Sequence, residues 1–181
     1  GKTAIITGAG KAVLSDGRCG SIGYGIATAY AKEGCNLVIT GRNVEKLEEA
    51  KKDLEVAYGI EVLIMPADVN AGADNEEVVN KVVQAAIEKF GRIDSLVNNA
   101  AGNFIVQAEK LSANGWKAVI DIVLNGTFYC SSAVGRYWIE NGIKGSMLNM
   151  VATYAWGAGA GVVHSAAAKA GVLSLTRTLA V

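Results

Sequence analysis

The chain has 181 residues, of which 51% are hydrophobic and 19% charged, and its 17 basic side chains balance 17 acidic ones. That length is enough for one domain with a hydrophobic core, and the neutral balance gives no reason to expect nucleic acid as a partner. The apolar runs are shorter than the roughly 18 residues that cross a membrane, so no membrane partner is expected either.

Cysteine spacing and the chain start bear on location. Cys19, Cys35 and Cys130 match neither a metal-ligand nor a disulfide pattern. This favours a reducing compartment, and we expect a cytoplasmic protein without a metal site. The chain begins at Gly1 without Met and without the features of a signal peptide, and it enters a strand at once, which indicates a trimmed start.

Strands and helices alternate along the chain. Short apolar runs bounded by turn residues predict buried strands at 3–7, 36–40, 60–66, 93–97 and 145–151. Longer segments with one apolar face predict helices at 21–33, 44–58, 75–90, 114–140 and from 163 to the end. This alternation predicts right-handed crossovers and a parallel sheet with helices on both faces, a doubly wound three-layer α/β fold. We expect residues 1–181 to form a single domain.

The first turn is typical of a phosphate-binding loop. Gly8 permits a tight turn after the first strand, and Gly23 lies at the start of the next helix, which opens near Ser21 and Ile22. Exposed backbone N–H groups and the helix dipole at such a start suit a pyrophosphate. We therefore expect these four residues to bind a dinucleotide.

The spacing in this turn is unusual. The dinucleotide fingerprint places its glycines within about six residues, whereas Gly8 and Gly23 lie fifteen apart, with Lys11–Cys19 as an apparent insertion. A glycine-rich surface loop therefore remains an alternative to a phosphate site. Lys11 and Arg18 in the insertion are candidates to add positive charge near the phosphates.

The end of the second strand bears on cofactor choice. NAD-binding folds usually place Asp or Glu there to hold the ribose 2′-hydroxyl. This chain has Arg42 instead, and a guanidinium suits a 2′-phosphate, which it can bind through two hydrogen bonds. NADP(H) is therefore favoured over NAD(H). The alternative is that Arg42 is only a solvated residue at a helix start.

The stretch Asn98–Gly102 follows the fourth strand. In open α/β sheets, ligands bind at the carboxyl ends of the strands, and glycine lets backbone and ligand approach closely. We expect Asn99, Ala100, Ala101 and Gly102 to form the floor of a cofactor site at the sheet centre. The alternative is an ordinary turn after a strand.

Several motifs together resemble the short-chain dehydrogenase/reductase family: Thr7–Gly10, Asp68, Asn98–Gly102, Asn125 and Lys169. The resemblance covers the whole chain and implies a Rossmann-like fold, an adenine contact at Asp68 with Val69 beside it, and a cofactor flanked by the Asn98 stretch. Because the family continues through a substrate-binding helical segment and further strands, the resemblance also implies that this chain is truncated at its C-terminus.

The family's catalytic signature, Tyr-x-x-x-Lys with an earlier Ser, is incomplete. Residues four apart share a helix face, so in the family the lysine reaches the nicotinamide ribose and lowers the pKa of the tyrosine. Here Lys169 is present, but Ser165 occupies the tyrosine position, and Ala152 stands thirteen residues before it. Without an acid near the carbonyl oxygen, ordinary alcohol oxidation loses its proton donor.

These departures resemble a narrower group, the NADPH-dependent 2,4-dienoyl-CoA reductases of this family. The matching segments are Asn99–Phe104, Asp121–Thr127, Thr153–Ala155 and Ser165–Gly171. The resemblance implies that hydride from NADPH reduces the diene of an acyl-CoA thioester in unsaturated fatty acid β-oxidation.

The same resemblance implies a role for each catalytic residue. Tyr154 and Asn125 would hydrogen-bond the thioester oxygen, Lys169 would hold the ribose, Ser165 would line the site, and water would protonate the α-carbon. Two alternatives stay open: another carbonyl or hydroxysteroid reductase with a relocated acid, and a non-catalytic NADP-binding protein.

Other residues give weaker signals. We expect the single histidine, His164, to face solvent or a loop, with a substrate contact as the alternative. Trp116, Trp138 and Trp156 are interpreted as packing residues, although Trp156 could touch an acyl chain. By family resemblance, the 114–140 helix pairs with its copy in a homodimer or homotetramer, whereas burial against the sheet alone is the alternative.

Overall fold

The computed structural model describes residues 1–18, 20–68 and 75–181. Five strands and six helices alternate in this part of the chain: β1 (Thr3–Thr7), α1 (Ile22–Lys32), β2 (Asn36–Gly41), α2 (Val44–Tyr58), β3 (Val62–Pro66), α3 (Asn75–Phe90), β4 (Ser95–Asn98), α4 (Ala113–Ile120), α5 (Gly126–Glu140), β5 (Ser146–Asn149) and α6 (Val163–Leu179). Each predicted strand and helix is confirmed, and most boundaries differ by no more than two residues.

The strands form one sheet in the order β3-β2-β1-β4-β5, and every neighbouring pair is parallel. From β1 the chain winds outward through β2 and β3, and then crosses back to place β4 on the other side of β1. The strand order therefore reverses between β1 and β4, which is where open α/β sheets bind their ligands. The predicted doubly wound, Rossmann-like fold is confirmed.

Hydrophobic packing on both faces of the sheet explains the three layers. Successive strand residues point to opposite faces, so Ile6 packs with Leu47 and Leu54 of α2 on one face, while Ile5 packs with Val134 and Trp138 of α5 on the other. The central positions of β1, β2 and β4 are apolar and buried because both faces of the sheet are covered there, as expected for a parallel sheet.

Helix α2 illustrates how local sequence sets the boundaries. Asn43 caps its start by accepting a hydrogen bond from the backbone N–H of Lys46 at 2.9 Å. Gly59 ends it in the left-handed conformation, with φ of 65°, which glycine adopts at little cost. Between them, Leu47, Ala50 and Leu54 form the buried stripe.

The predicted 114–140 helix is continuous but irregular. A single π turn at Asp121–Asn125 joins α4 to α5, and the N–H of Gly126 donates to the carbonyl of Asp121, five residues earlier. The stretch Ala113–Glu140 is long and apolar enough to cross a membrane. However, Cys130, Val134 and Trp138 pack against the sheet, which is the packing of a core helix.

Candidate functional site

The centre of the carboxyl edge is fastened by the hydroxyl of Thr7. Its oxygen accepts hydrogen bonds from the backbone N–H groups of Asn99 at 3.0 Å and Ala100 at 2.9 Å, and its proton faces the carbonyl of Val97 at 3.4 Å. The Asn99 amide donates in turn to the carbonyls of Thr7 and Gly8 at 3.0 and 3.1 Å. One buried hydroxyl and one amide thus join the ends of β1 and β4.

Gly8 and Gly23 meet in space despite their separation in sequence. Gly8 has φ of 67°, and a methyl group on it would lie 3.0 Å from the Cα of Ala100. A methyl group on Gly23 would lie 2.2 Å from the carbonyl oxygen of Gly8, far inside contact distance. The start of α1 therefore packs directly on the turn after β1, which is the arrangement that the glycine fingerprint produces.

The insertion closes on itself, so the ends of the loop return to the same place. The N–H of Gly20 donates to the carbonyl of Ala12 at 2.8 Å, and that of Leu14 to the carbonyl of Arg18 at 2.8 Å. At the loop base, Ser21 donates to the carbonyl of Gly10 at 2.8 Å and caps α1. Because the insertion is a side excursion, the unusual spacing leaves the glycine contact intact.

The prediction that cations of the insertion add charge near phosphates is wrong. Lys11 pairs with Asp53 of α2 at 2.5 Å, a hydrogen bond that raises the pKa of Lys11. Arg18 pairs with Asp16 in the same loop at 2.6 Å. Both charges are thereby neutralised locally, and Lys11 instead anchors the insertion to α2.

A cleft of about 610 Å³ opens at the carboxyl edge, and we call it the carboxyl-edge cleft. It lies over the ends of β1, β2 and β4, where the strand order reverses. Its walls come from turn residues and from one residue of the π turn: Gly8, Gly10, Arg42, Lys46, Asp68, Asn99, Ala100, Ala101 and Ile122. Small residues and backbone form the floor, and charged side chains stand at one end.

Two cations lie at the β2 end of this cleft. Arg42 immediately follows β2, and Lys46 lies in the first turn of α2, held there by the Asn43 cap. Sequence reasoning found Arg42 but missed Lys46. The signal was available, because a basic residue one helical turn beyond an N-cap must face the same end of the strand as Arg42.

Of the other predicted cofactor residues, two lie behind the cleft and two lie at the start of α1. Gly23 lies behind the cleft floor, in contact with Gly8. Gly102 lies behind Ile122, and a methyl group on Gly102 would lie 3.7 Å from the Ile122 side chain. Ser21 caps the helix, while the Ile22 side chain is 68% exposed. Val69 lies outside the described residues.

The predicted catalytic hydroxyls are close together. The Tyr154 and Ser165 hydroxyl oxygens are 2.9 Å apart, in a short 3₁₀ turn after β5 and the first turn of α6 respectively. Lys169 lies one turn further along α6 and donates to the carbonyl of Met150 at the end of β5. Its side chain is buried, and desolvation lowers its pKa.

Asn125 is the last residue of the π turn. Its amide nitrogen donates to Oδ1 of Asp121 at 2.9 Å. The turn packs on α6, with Val123 against Ala168 and Leu124 over Gly171, where a methyl group would meet Leu124 at 2.9 Å. Asn125 therefore lies on an element in contact with the helix that carries Ser165 and Lys169.

The expectation that His164 faces solvent or a loop is wrong. Its side chain is fully buried, its ring contacts Phe104 with centroids 4.6 Å apart, and neither ring nitrogen has a hydrogen-bond partner among the described residues. Burial on α6 against the 104 segment was not visible in the sequence. Of the tryptophans, Trp138 is buried as predicted, whereas Trp116 and Trp156 are 41% and 65% exposed.

A parallel sheet with a glycine-floored cleft at its strand-order reversal is typical of a nucleotide-binding α/β domain. Residues 2–181 match the short chain dehydrogenase family. The chain belongs to this family, and its nucleotide is a pyridine nucleotide.

Three similar proteins show which members the chain resembles. A Bacillus subtilis protein named probable 2,4-dienoyl-CoA reductase, (2E)-enoyl-CoA-producing, is 55% identical over 94% of this chain and 65% of its own length. A 12alpha-hydroxysteroid dehydrogenase from a Clostridium species is 42% identical over 99% of this chain and 66% of its own length. The crystal structure of a Bacillus anthracis short chain dehydrogenase is 57% identical with a TM-score of 0.88, covering 99% of this chain and 68% of that one. The chain therefore spans about two thirds of the length of these relatives.

Proposed function

We propose that this protein is an NADPH-dependent 2,4-dienoyl-CoA reductase that acts on unsaturated acyl-CoA thioesters in fatty acid β-oxidation. The observation that carries the proposal is the 2.9 Å pairing of the Tyr154 and Ser165 hydroxyls. It holds a tyrosine hydroxyl beside the helix of Lys169, although position 165 itself has no tyrosine. The printed name of the Bacillus subtilis relative supports the same substrate class.

The chain's chemical task is to stabilise negative charge on the thioester oxygen. Bound NADPH supplies a hydride to the diene, and the resulting charge spreads to that oxygen. Tyr154 and Asn125 act as neutral donors aimed at it, which makes them an oxyanion hole. Either hydroxyl can be the donor in the Tyr154–Ser165 pair, and in the arrangement where Ser165 donates, the tyrosine proton is left for the substrate oxygen. Water protonates the resulting dienolate on carbon, at Cα for a (3E)-enoyl product and at Cγ for the (2E)-enoyl product named for the Bacillus subtilis relative, so no acid is needed at position 165.

Lys169 orients the nucleotide in this proposal. Its ammonium donates to the carbonyl of Met150, which fixes the side chain at the end of β5. An ammonium has three donors, so two remain for the ribose hydroxyls of the nucleotide. The lysine therefore needs no tyrosine partner to serve as a binding group.

We assign NADP(H) to the carboxyl-edge cleft. Gly8, Ala100 and Ala101 leave room for the nucleotide against the floor, and we assign the adenine contact to Asp68, which lines the same cleft. Arg42 and Lys46 supply two positive charges where a 2′-phosphate would extend beyond the end of β2. The donor set thus fits NADP(H) better than NAD(H), since neither Arg42 nor Asn43, the two residues between β2 and α2, is an acid that could bind a 2′-hydroxyl.

Assembly and location complete the proposal. We propose a homodimer or homotetramer that pairs through α5, on which Phe128 and Ile139 are 48% and 84% exposed. We also propose a single nucleotide-binding domain over residues 1–181 and a cytoplasmic location. Cys35 and Cys130 are buried free thiols, and burial raises their pKa values to about 11 and about 12, so both are protonated and weakly nucleophilic at neutral pH.

A second candidate is reduction of a ketone or hydroxysteroid, because the Clostridium relative carries that name. Tyr154 would then have to act as a relocated proton donor rather than as a neutral hydrogen-bond donor. A third candidate is nucleotide binding without turnover. Oxidation of NADPH, followed by its absorbance, with a dienoyl-CoA, a ketone and a hydroxysteroid in parallel separates the three: only the proposed function requires turnover of the dienoyl-CoA.

The first prediction concerns Tyr154→Phe. Loss of one oxyanion donor should lower kcat with a dienoyl-CoA by about 10²–10³-fold, while NADPH affinity stays unchanged. Asn125→Ala should cost a similar factor, and Ser165→Ala much less because it moves no proton. Tyr58→Phe, at a partly buried tyrosine of α2, is the matched control. Wild-type turnover by Tyr154→Phe together with a dead Ser165→Ala variant would contradict the proposed roles.

A further inference from the structure

We propose that Asp121 is the residue that positions the Asn125 amide for its substrate, a role that rests on the proposed function. Asp121 begins the π turn and Asn125 ends it. Oδ1 of Asp121 accepts from the Asn125 amide nitrogen at 2.9 Å. No motif of the sequence analysis gave Asp121 a task of its own.

The π turn places both ends of this pair on one side. The N–H of Gly126 donates to the Asp121 carbonyl, so the backbone of Asp121 closes the same wide turn that its side chain spans. In a regular α-helix each residue advances about 100° around the axis, so the extra residue of a π turn redirects every side chain after it. Asp121 thereby fixes both the backbone and the side chain of Asn125.

The chemistry of the pair sets the direction of the amide. An ionised carboxylate only accepts hydrogen bonds, whereas an Asn amide has a donor end and an acceptor end. Asp121 therefore holds the NH₂ end of Asn125 toward itself and disfavours the flipped amide, whose oxygen would face the carboxylate. The second N–H of the same nitrogen is left to donate to the substrate oxygen, which is what an oxyanion hole requires.

Lys117 removes an electrostatic conflict. A lone carboxylate four residues before the oxyanion donor, and hydrogen-bonded to it, would oppose the negative charge that develops on the substrate oxygen. Lys117 pairs with Oδ2 of Asp121, so Oδ1 remains for Asn125 while the net charge of the pair is neutral. The Lys117 side chain is 70% exposed and that of Asp121 15%, so the acid is held inside and its counter-ion lies at the surface.

The competing explanation is an ordinary surface pair four residues apart on a helix. Such a pair contributes little to stability and has no effect on the rate of a reaction. The two explanations differ in one respect: a positioning residue has no effect once the residue it positions is gone. A double-mutant cycle between Asp121 and Asn125 tests this directly.

The experiment measures kcat and KM with a dienoyl-CoA for the longest form of the protein that its gene encodes. Asp121→Ala should lower kcat by about 10–10²-fold, the cost of a misplaced catalytic group, and change KM by less than about threefold. Asp121→Asn keeps an acceptor oxygen and should recover most of the rate. The Asp121→Ala, Asn125→Ala double variant should be no slower than Asn125→Ala alone.

Two further variants isolate the cause. Lys117→Ala breaks the surface pair but keeps the bond to Asn125, and it should lower kcat far less than Asp121→Ala. Glu140→Ala removes another acid of the same helical stretch, at its exposed far end, and controls for charge alone. Losses that multiply in the double variant, or equal losses in Lys117→Ala and Asp121→Ala, would overturn the proposal for Asp121 while the proposed function stands.

A structural readout keeps the test independent of the substrate assignment. In a crystal structure of Asp121→Ala, the Asn125 amide should rotate away from its wild-type direction, and in Asp121→Asn it should stay. An unmoved amide in Asp121→Ala would overturn the proposal even if no dienoyl-CoA is turned over. Absence of dienoyl-CoA turnover by the wild-type protein together with a rotated amide would overturn only the proposed function.

Discussion

The carboxyl-edge cleft and the proposed reaction site, formed by Tyr154, Ser165 and Lys169, contain different kinds of atoms. The cleft floor is made of backbone and small residues in direct contact, such as Gly8 against Gly23. The reaction site is made of longer side chains from separate elements, with Tyr154 in a turn and Ser165 and Lys169 on α6. A backbone floor leaves little freedom at any position, whereas a hydroxyl can be supplied from more than one place in the chain.

This difference explains what each region tolerates. The insertion after Gly10 is accommodated because both of its ends return to a geometry fixed by the sheet. The missing tyrosine at position 165 is accommodated because Tyr154 brings a hydroxyl to within 2.9 Å of that position. The loop beside the cleft thus accepts an insertion, whereas the cleft floor leaves no space for an added side-chain atom. The proposed reaction site accepts a hydroxyl from a different position in the chain.

The largest expected effect tests the claim about added atoms. Gly23→Ala would place a methyl group 2.2 Å from the Gly8 carbonyl, where backbone and not a flexible side chain must move. We expect a loss of about 3 kcal/mol in the free energy of unfolding, the upper end of ordinary overpacking costs, and greatly weakened NADPH binding. Denaturant unfolding and nucleotide titration measure both.

Gly25→Ala is the matched control for that variant. It lies two residues further along α1, where an added methyl group meets no described atom within 4 Å. Replacing an exposed helical glycine by alanine should stabilise the protein by up to about 1 kcal/mol. Equal stability of the Gly23→Ala and Gly25→Ala variants would show that the two glycines do not pack as described.

The next effect concerns the hydroxyl that joins β1 to β4. Thr7→Val keeps the shape of the side chain but leaves the N–H groups of Asn99 and Ala100 without their acceptor. We expect a loss of about 2–3 kcal/mol in the free energy of unfolding, since an unsatisfied buried donor costs about 1–3 kcal/mol. Thr7→Ser keeps the hydroxyl and should lose less. A Thr7→Val variant as stable as Thr7→Ser would mean that the hydroxyl is not the fastening group.

The sequence was sufficient for the elements but not for the contacts between them. Apolar runs and caps such as Asn43 act over a few residues, so α2 and α3 were predicted with their observed bounds. The contact of Gly8 with Gly23 crosses an insertion, and it required knowledge of where that loop folds. The burial of His164 depends on Phe104, sixty residues away, which no local pattern can reveal.

For the site, the resemblance supplied what spacing alone could not. The Tyr154 and Ser165 pair was named from family motifs, and the structure then brings the two hydroxyls together. Lys46 and Asp121 were missed because each acts through its position one turn from a named residue. No motif gives such residues a role of their own, and that role becomes visible only from the structure of the helix around them.

A smaller effect is expected at the β2 end of the cleft. Arg42→Ala should weaken NADPH binding by about 1.5–2 kcal/mol, the lower end for a hydrogen bond to a charged group, because the guanidinium is exposed. NADH binding should hardly change, since NADH lacks the 2′-phosphate. Lys46→Ala should show the same selectivity with a smaller loss, because an ammonium binds phosphate as a point charge.

Isothermal titration with both nucleotides measures these affinities, and Lys51→Ala, on the same helix, is the control for loss of one cation. Equal losses for NADPH and NADH in Arg42→Ala would contradict a 2′-phosphate role. Such a result would also mean that Arg42 binds a part of the nucleotide that NADPH and NADH share, as the floor residues do. The charged end of the cleft would then not select between the two cofactors.

The smallest effect concerns Lys169 of the proposed reaction site. Burial lowers its pKa below the ordinary value of 10.5, so the folded protein releases this proton at a lower pH than the unfolded chain. Between the lowered pKa and 10.5 the unfolded chain binds more protons, and stability therefore rises with pH in that window.

Compared with Lys169→Met, which carries no charge to bury, the nucleotide-free wild type should gain stability as the pH rises through this window. Lys110→Met, at an exposed site, controls for the loss of one positive charge. Thermal unfolding of the three proteins across this range measures the difference. If the wild type instead loses stability relative to Lys169→Met, the hydrogen bond to the Met150 carbonyl compensates fully for burial of the ammonium. The lysine side chain would then be held in place as rigidly as the glycines of the cleft floor.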